Sequence, residues 1–173
     1  MPLSRVRLIL VEDDEVDAEY VVRVLRRSGI GAPVTQFHDG MEALQALRGP
    51  QRKLLATLPL MILLDLHMPR LGGFEFLDLL REDPELGSST VFILTQSERS
   101  EDISAAYDRQ VAGYLVKSHL GEDYALLPQL LVTYCRLVAL APRKRQNDRG
   151  GGGNFRRHVL AWRGKTLAPI SRP

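Results

Sequence analysis

The chain has 173 residues, 45% of them hydrophobic, which suits one compact domain with a real core plus a tail. No apolar run approaches the length of a bilayer span, and Met1 to Arg7 lead straight into a strand-like run rather than a signal peptide. The net charge of +2 conceals a division: residues 141–173 hold nine of the 23 Lys/Arg and one of the 21 Asp/Glu, so the tail carries +8 and residues 1–140 carry −6. An acidic globular part does not attract nucleic acid by its own field. Cys135 is the single cysteine, which excludes an internal disulfide and points to a reducing, cytoplasmic setting.

In chain order, Val6 and Leu8 to Val11 predict a buried strand. Acids follow at once (Glu12, Asp13, Asp14, Glu15, Asp17), and Asp14 and Asp17 are read as capping the next helix. That helix is marked by Val16, Tyr20, Val21, Val24 and Leu25 and stops at Ser28-Gly29. Pro33 to Phe37 is a weaker strand, and Met41 to Leu47 a short helix. Leu60 to Leu64 forms the clearest buried strand, closed by Asp65 and followed by turns at Met68-Pro69 and Gly72-Gly73. Phe74, Leu77 and Leu80 open a third helix that ends near Asp83-Pro84. Val91 to Leu94 is a fourth strand closed by Thr95, and Glu101-Asp102 acidify the first turn of a fourth helix. Gly113 to Val116 is a fifth strand closed by Lys117, and a long apolar helix is expected over 122–140, with Pro128 in or bending its first turn.

Five strands alternating with five helices imply an α/β fold, a doubly wound parallel sheet with helices on both faces. Ligands bind such sheets beyond the carboxyl ends of the strands. Those ends carry Glu12 and Asp13, Asp65, Thr95 and Lys117. Carboxylates crowded together repel, and a hard divalent cation removes the conflict. Mg²⁺ fits, because it takes few carboxylates and keeps waters that phosphate oxygens can replace. Asp65 could then act as a nucleophile toward phosphorus, with Lys117 as a point charge for phosphoryl oxygens and Thr95 as a hydroxyl donor.

Four stretches, Leu8–Asp14 (LILVEDD), Leu63–Gly73 (LLDLHMPRLGG), Phe92–Thr95 (FILT) and Gly113–Lys117 (GYLVK), closely resemble the receiver domains of two-component response regulators. The resemblance covers about residues 5–140 and implies a flavodoxin-like fold with strand order 2-1-3-4-5. It implies that Glu12 and Asp13 hold Mg²⁺, that Asp65 is the phosphoacceptor, and that the backbone carbonyl of His67 is a further metal ligand. Thr95 and Tyr114 would be the switch pair, Lys117 would pair with the phosphate, and the donor would be the phosphohistidine of a sensor histidine kinase. Such a domain is a phosphoacceptor with self-catalysed transfer and dephosphorylation rather than an enzyme acting on other substrates. Phe74-Glu75-Phe76-Leu77, Asp83-Pro84 and Tyr107–Lys117 followed by Ser118 resemble the stand-alone regulators that pair with phytochrome-like kinases. Three positions depart from or add to the family pattern. Ser118 stands where most receivers have proline after a cis bond, and a cis bond to Ser would cost roughly 2.5–4 kcal/mol, which leaves the Lys117–Ser118 geometry open. Gln96 stands where the family usually has a small residue, and His67 either tunes dephosphorylation or is a solvated loop side chain.

A phosphatase using Asp65 on external substrates is the competing enzyme class, but two residues on stands His67 rather than a second acid. A receiver-like scaffold that is never phosphorylated is the third. The division expected is a receiver domain over 1–140 and a basic, Gly-rich, disordered tail over 141–173. Phe155 and Trp162 among Arg156, Arg157, Arg163 and Lys165 would also suit a basic arm for an acidic partner, a membrane surface or nucleic acid. The 33 residues of the tail are too few for a helix-turn-helix domain, so direct DNA binding is not expected. The apolar surplus of the last helix, Leu126 to Leu140, predicts a homodimer built on it.

Overall fold

The structure is a computed structural model, and it describes residues 3–50, 55 and 57–141. The predicted basic tail, apart from Ala141, lies outside the described residues. Five strands, β1 (Arg7–Val11), β2 (Val34–Phe37), β3 (Leu60–Leu64), β4 (Thr90–Thr95) and β5 (Gly113–Val116), form one sheet. All pairs are parallel and the order is β2-β1-β3-β4-β5, as predicted. The helices are α1 (Glu15–Arg27), α2 (Gly40–Arg48), α3 (Gly73–Glu82), α4 (Ser100–Asp108) and α5 (Leu126–Leu137).

Strand residues alternate between two cores, as the two-residue period of a strand requires. Ile9, Val11, Ile62, Leu64, Val91 and Ile93 face α2, α3 and α4, where Leu44, Leu47, Phe76, Leu77, Leu80 and Ala106 meet them. Leu8, Leu10, Met61, Leu63, Phe92 and Leu94 face α1 and α5, where Ala18, Val21, Leu25, Leu127, Leu131 and Cys135 meet them. The Phe92 and Tyr134 rings pack edge to face at 4.9 Å. Cys135 is sealed in this layer, and burial pushes its thiol pKa up.

Local chemistry explains most of the helix boundaries. Asp14 caps α1 by accepting the Val16 and Asp17 amide protons, both at 2.9 Å. Asp39 accepts from the Glu42 amide at 2.9 Å while Glu42 reaches back to the His38 amide at 2.9 Å, which starts α2. Gly73 opens α3 where a β-carbon would stand 2.4 Å from the Asp65 carbonyl oxygen and 2.8 Å from Leu66 Cα, so only glycine lets this helix start against the end of β3.

Three expectations are corrected. Val16 does not belong to the apolar stripe of α1: it is 63% exposed, and the face packed on the sheet is Ala18, Val21 and Leu25. Asp17 does not cap α1; Asp14 alone does, and Asp17 turns elsewhere. The last helix spans 126–137 rather than 122–140. Before it, Glu122–Tyr124 form a 3-10 turn in which Asp123 (φ 51°) and Tyr124 (φ 57°) are left-handed, a conformation that breaks an α-helix. At its other end Val138 is extended, and Pro128 sits in the first turn, where its missing amide is harmless. No cis peptide bond occurs among the described residues, so Lys117–Ser118 is trans.

Candidate functional site

The sheet register brings the strand ends together. Val11 pairs with Leu64, Leu64 with Ile93, and Thr95 with Val116. The next residues, Glu12, Asp65 and Lys117, therefore meet above the carboxyl edge, and the Asp65 amide continues the ladder to the Val11 carbonyl at 3.0 Å. Glu12, Asp65, Thr95 and Lys117 are all buried, at 1%, 6%, 0% and 3% exposure, whereas Asp13 is exposed.

Glu12, Asp13 and Asp65 each offer an oxygen, and these lie within 4.8 Å of one another. Burial, opposed by Lys117 and reinforced by the charge of Asp65, pushes the Glu12 pKa up to about 7. Such a trio needs compensating positive charge, and all-carboxylate oxygen donors suit a hard dication. Lys117 supplies part of that charge. Its Nζ lies 2.8 Å from Glu12 Oε2, 2.7 Å from Asp17 Oδ2 and 3.9 Å from Asp65 Oδ1. Burial works against its charge, but the bonds to Asp17 and Glu12 outweigh it and raise its pKa above the ordinary lysine value.

Other expected residues join through the backbone. The exposed His67 donates its amide to Asp65 Oδ2 at 2.8 Å, which fixes the carboxylate's rotation. Thr95 Oγ1 accepts the Ser97 amide at 3.5 Å, and the Tyr114 hydroxyl donates to the Ser97 carbonyl at 3.0 Å. Thr95 and Tyr114 thus share Ser97, a residue sequence reasoning did not single out. Ser118 donates to Glu98 at 3.1 Å and so ties the segment after β5 to the loop after β4. Asp17 and Tyr124 were also missed. The Tyr124 hydroxyl donates to Asp17 Oδ1 at 3.0 Å, and burial, then that bond, push its pKa up to about 12. The acid cluster after β1 was the only signal for Asp17; nothing local marks Tyr124.

Residues 8–124 match the response regulator receiver domain. The chain is 34% identical over 116 residues to the response regulator Rcp1 of Synechocystis sp., covering 67% of this chain and 79% of the relative. It is equally identical over 119 residues to a probable methanogenesis regulatory protein, FilR2, of Methanothrix harundinacea, covering 67% and 74%. Among solved structures, the Mn²⁺-bound form of Rcp1 superposes with a TM-score of 0.67 at 30% identity, covering 79% of this chain and 99% of that one. The phosphorylated cyanobacterial phytochrome response regulator RcpA superposes with a TM-score of 0.69 at 31% identity, covering 78% and 96%. No helix among the described residues is long and apolar enough to cross a membrane. The chain belongs to the response regulator receiver-domain family of two-component systems.

Proposed function

We propose that residues 1–140 act as a stand-alone receiver in which Asp65 accepts a phosphoryl group from a sensor histidine kinase, and that the kinase is phytochrome-like. The observation that carries the reading is the buried Asp65 among Glu12, Asp13 and Lys117 at one strand edge. The Asp65 carboxylate attacks phosphorus as the phosphorus–nitrogen bond of the phosphohistidine breaks, leaving an acyl phosphate on Asp65 and a neutral imidazole once a proton is taken up. The His67 amide keeps the carboxylate aimed. Lys117, already 3.9 Å from Asp65 Oδ1, meets the arriving phosphoryl oxygens. Mg²⁺, held by Glu12, Asp13, Asp65 and the His67 carbonyl, would neutralise charge and align those oxygens. Thr95 and Tyr114 then carry the change into the Ser97 loop. Incubation with acetyl phosphate and Mg²⁺, followed by intact mass, should show one added phosphoryl group. Omitting Mg²⁺ or introducing Asp65→Asn should remove it; addition to the Asn variant would refute the assignment.

Output on this reading is a protein contact in the cytoplasm. Leu126, Leu137 and Val138 are 49%, 80% and 38% exposed, which supports a homodimer through α5. Light scattering at micromolar concentration should give twice the chain mass, and Leu137→Glu should return it to one. A wild-type monomer with and without phosphorylation would sink the dimer.

A further inference from the structure

Lys117 is held by one acid more than the strand ends supply. Asp17 Oδ2 lies 2.7 Å from its Nζ, closer than Asp65 Oδ1 at 3.9 Å. The other oxygen of Asp17 accepts the Tyr124 hydroxyl at 3.0 Å. Tyr124 belongs to the turn at the root of α5, where both it and Asp123 have positive φ. An aromatic residue keeps that conformation only where its surroundings hold it. The groups that hold it include the bond to Asp17, an edge-on contact with the Tyr20 ring at 6.5 Å, itself capped by the Arg23 guanidinium at 4.3 Å, and packing against the core on the α1 and α5 side. One carboxylate therefore links the lysine of the site to a strained turn that sets where α5 begins.

We infer that Asp17 is a positioning residue for Lys117, and that phosphorylation of Asp65 draws Lys117 off Asp17 and loosens the Tyr124 turn at the root of α5. The inference rests on Asp65 being the phosphoacceptor. A phosphoryl group brings about −1.5 to −2 charge and three acceptor oxygens, and it outcompetes a carboxylate for an ammonium already beside it. Lys117 must then give up a partner. The side chain of Glu12 is 2% exposed and that of Asp17 25%, so Asp17 is the acid that water can take over. Freed of the lysine, Asp17 no longer fixes the Tyr124 hydroxyl, and the left-handed residues relax. This route runs along the α1 and α5 side of the sheet, apart from the Thr95–Ser97–Tyr114 contacts.

Hydrogen exchange of the full chain over residues 120–126 tests it, with intact mass giving the phosphoryl occupancy after acetyl phosphate and Mg²⁺. This segment holds its amides in the Leu120–Lys117, Tyr124–Gly121, Ala125–Glu122 and Leu126–Leu120 hydrogen bonds. Phosphorylated wild type should exchange several-fold faster there. Tyr124→Phe should exchange at that faster rate before any donor is added. Asp17→Asn keeps an acceptor for Tyr124 but removes the charge shared with Lys117, so at matched occupancy the phosphorylation-dependent change should largely vanish. Unaltered exchange in phosphorylated wild type, or a full change in Asp17→Asn, would overturn the inference and leave Asp65 as acceptor intact. No phosphoryl group on wild type would overturn both.

Discussion

Replacing Arg81 with methionine is expected to lower the stability of the fold by about 3 kcal/mol. Among the described residues, Arg81 pairs with no carboxylate. Its guanidinium donates to four main-chain carbonyls: Arg109 at 2.9 Å, Gly87 at 2.8 Å, Ser89 at 2.9 Å and Gln110 at 2.8 Å. It thereby joins the end of α3 to the segment entering β4 and the turn entering β5. Burial lowers its pKa, yet arginine keeps its charge at neutral pH. Methionine fills part of the space but leaves without a donor the part-buried carbonyls of Arg109, Gly87 and Ser89, at roughly 1–3 kcal/mol for each one left unsatisfied, while water can take over the exposed bond to Gln110. Arg81→Lys should recover only part of the loss, because a point charge with three donors cannot reach four carbonyls spread around a planar fork. Urea unfolding reads the effect directly. A loss below about 1 kcal/mol would mean that water replaces the guanidinium, and the clamp would be incidental.

Lys117→Met should destabilise the metal-free protein by a similar amount, about 3–5 kcal/mol, and much of that should return when Mg²⁺ is added. Removing the cation leaves Glu12 and Asp65 buried, with Asp17 half-turned toward them and no positive charge between. The penalty should grow with pH. Glu12 already has its folded pKa pushed up to about 7, against an ordinary value of 4.5, and loss of Lys117 pushes it further up. A carboxyl whose folded pKa lies above its unfolded value adds stability below the unfolded pKa and loses it as pH rises through the folded one. The variant should therefore melt closer to wild type at pH 6 than at pH 8. Mg²⁺ should raise the melting temperature of the variant more than that of wild type, because the ion no longer competes with an ammonium for the same oxygens. Equal Mg²⁺ responses would indicate that Lys117 does not share these acids with the metal.

The strand order came only with the resemblance to receiver domains, whereas the placement of Glu12, Asp65, Thr95 and Lys117 at one edge was legible because it rests on a local pattern: an apolar run, then a polar residue where the run ends. Parallel pairing converts four such endings into one rim without further information. The Asp14 cap was legible for the same reason, since its partners lie two and three residues on. Asp17 was misread because its true partner is a hundred residues away, and a carboxylate in a first helical turn looks like an ordinary response to the helix dipole. Arg81 had no signature, because carbonyl groups are present at every residue and only the fold decides which four converge. The start of α5 was misplaced because Glu122 and Asp123 resemble a favourable acidic first turn, whereas Gly121 (φ 79°) and the left-handed pair after it delay the helix to Leu126.

Cys135 has one more consequence. The sequence contains no other thiol, and this one is withdrawn from solvent within the very helix whose outer side carries Leu137. Any cysteine introduced on the exterior becomes the sole accessible site for maleimide or disulfide chemistry, with the parent protein as a silent background. A spin label or fluorophore at position 137 would then report on α5 alone, and an oxidative crosslink between two such positions would have one possible origin.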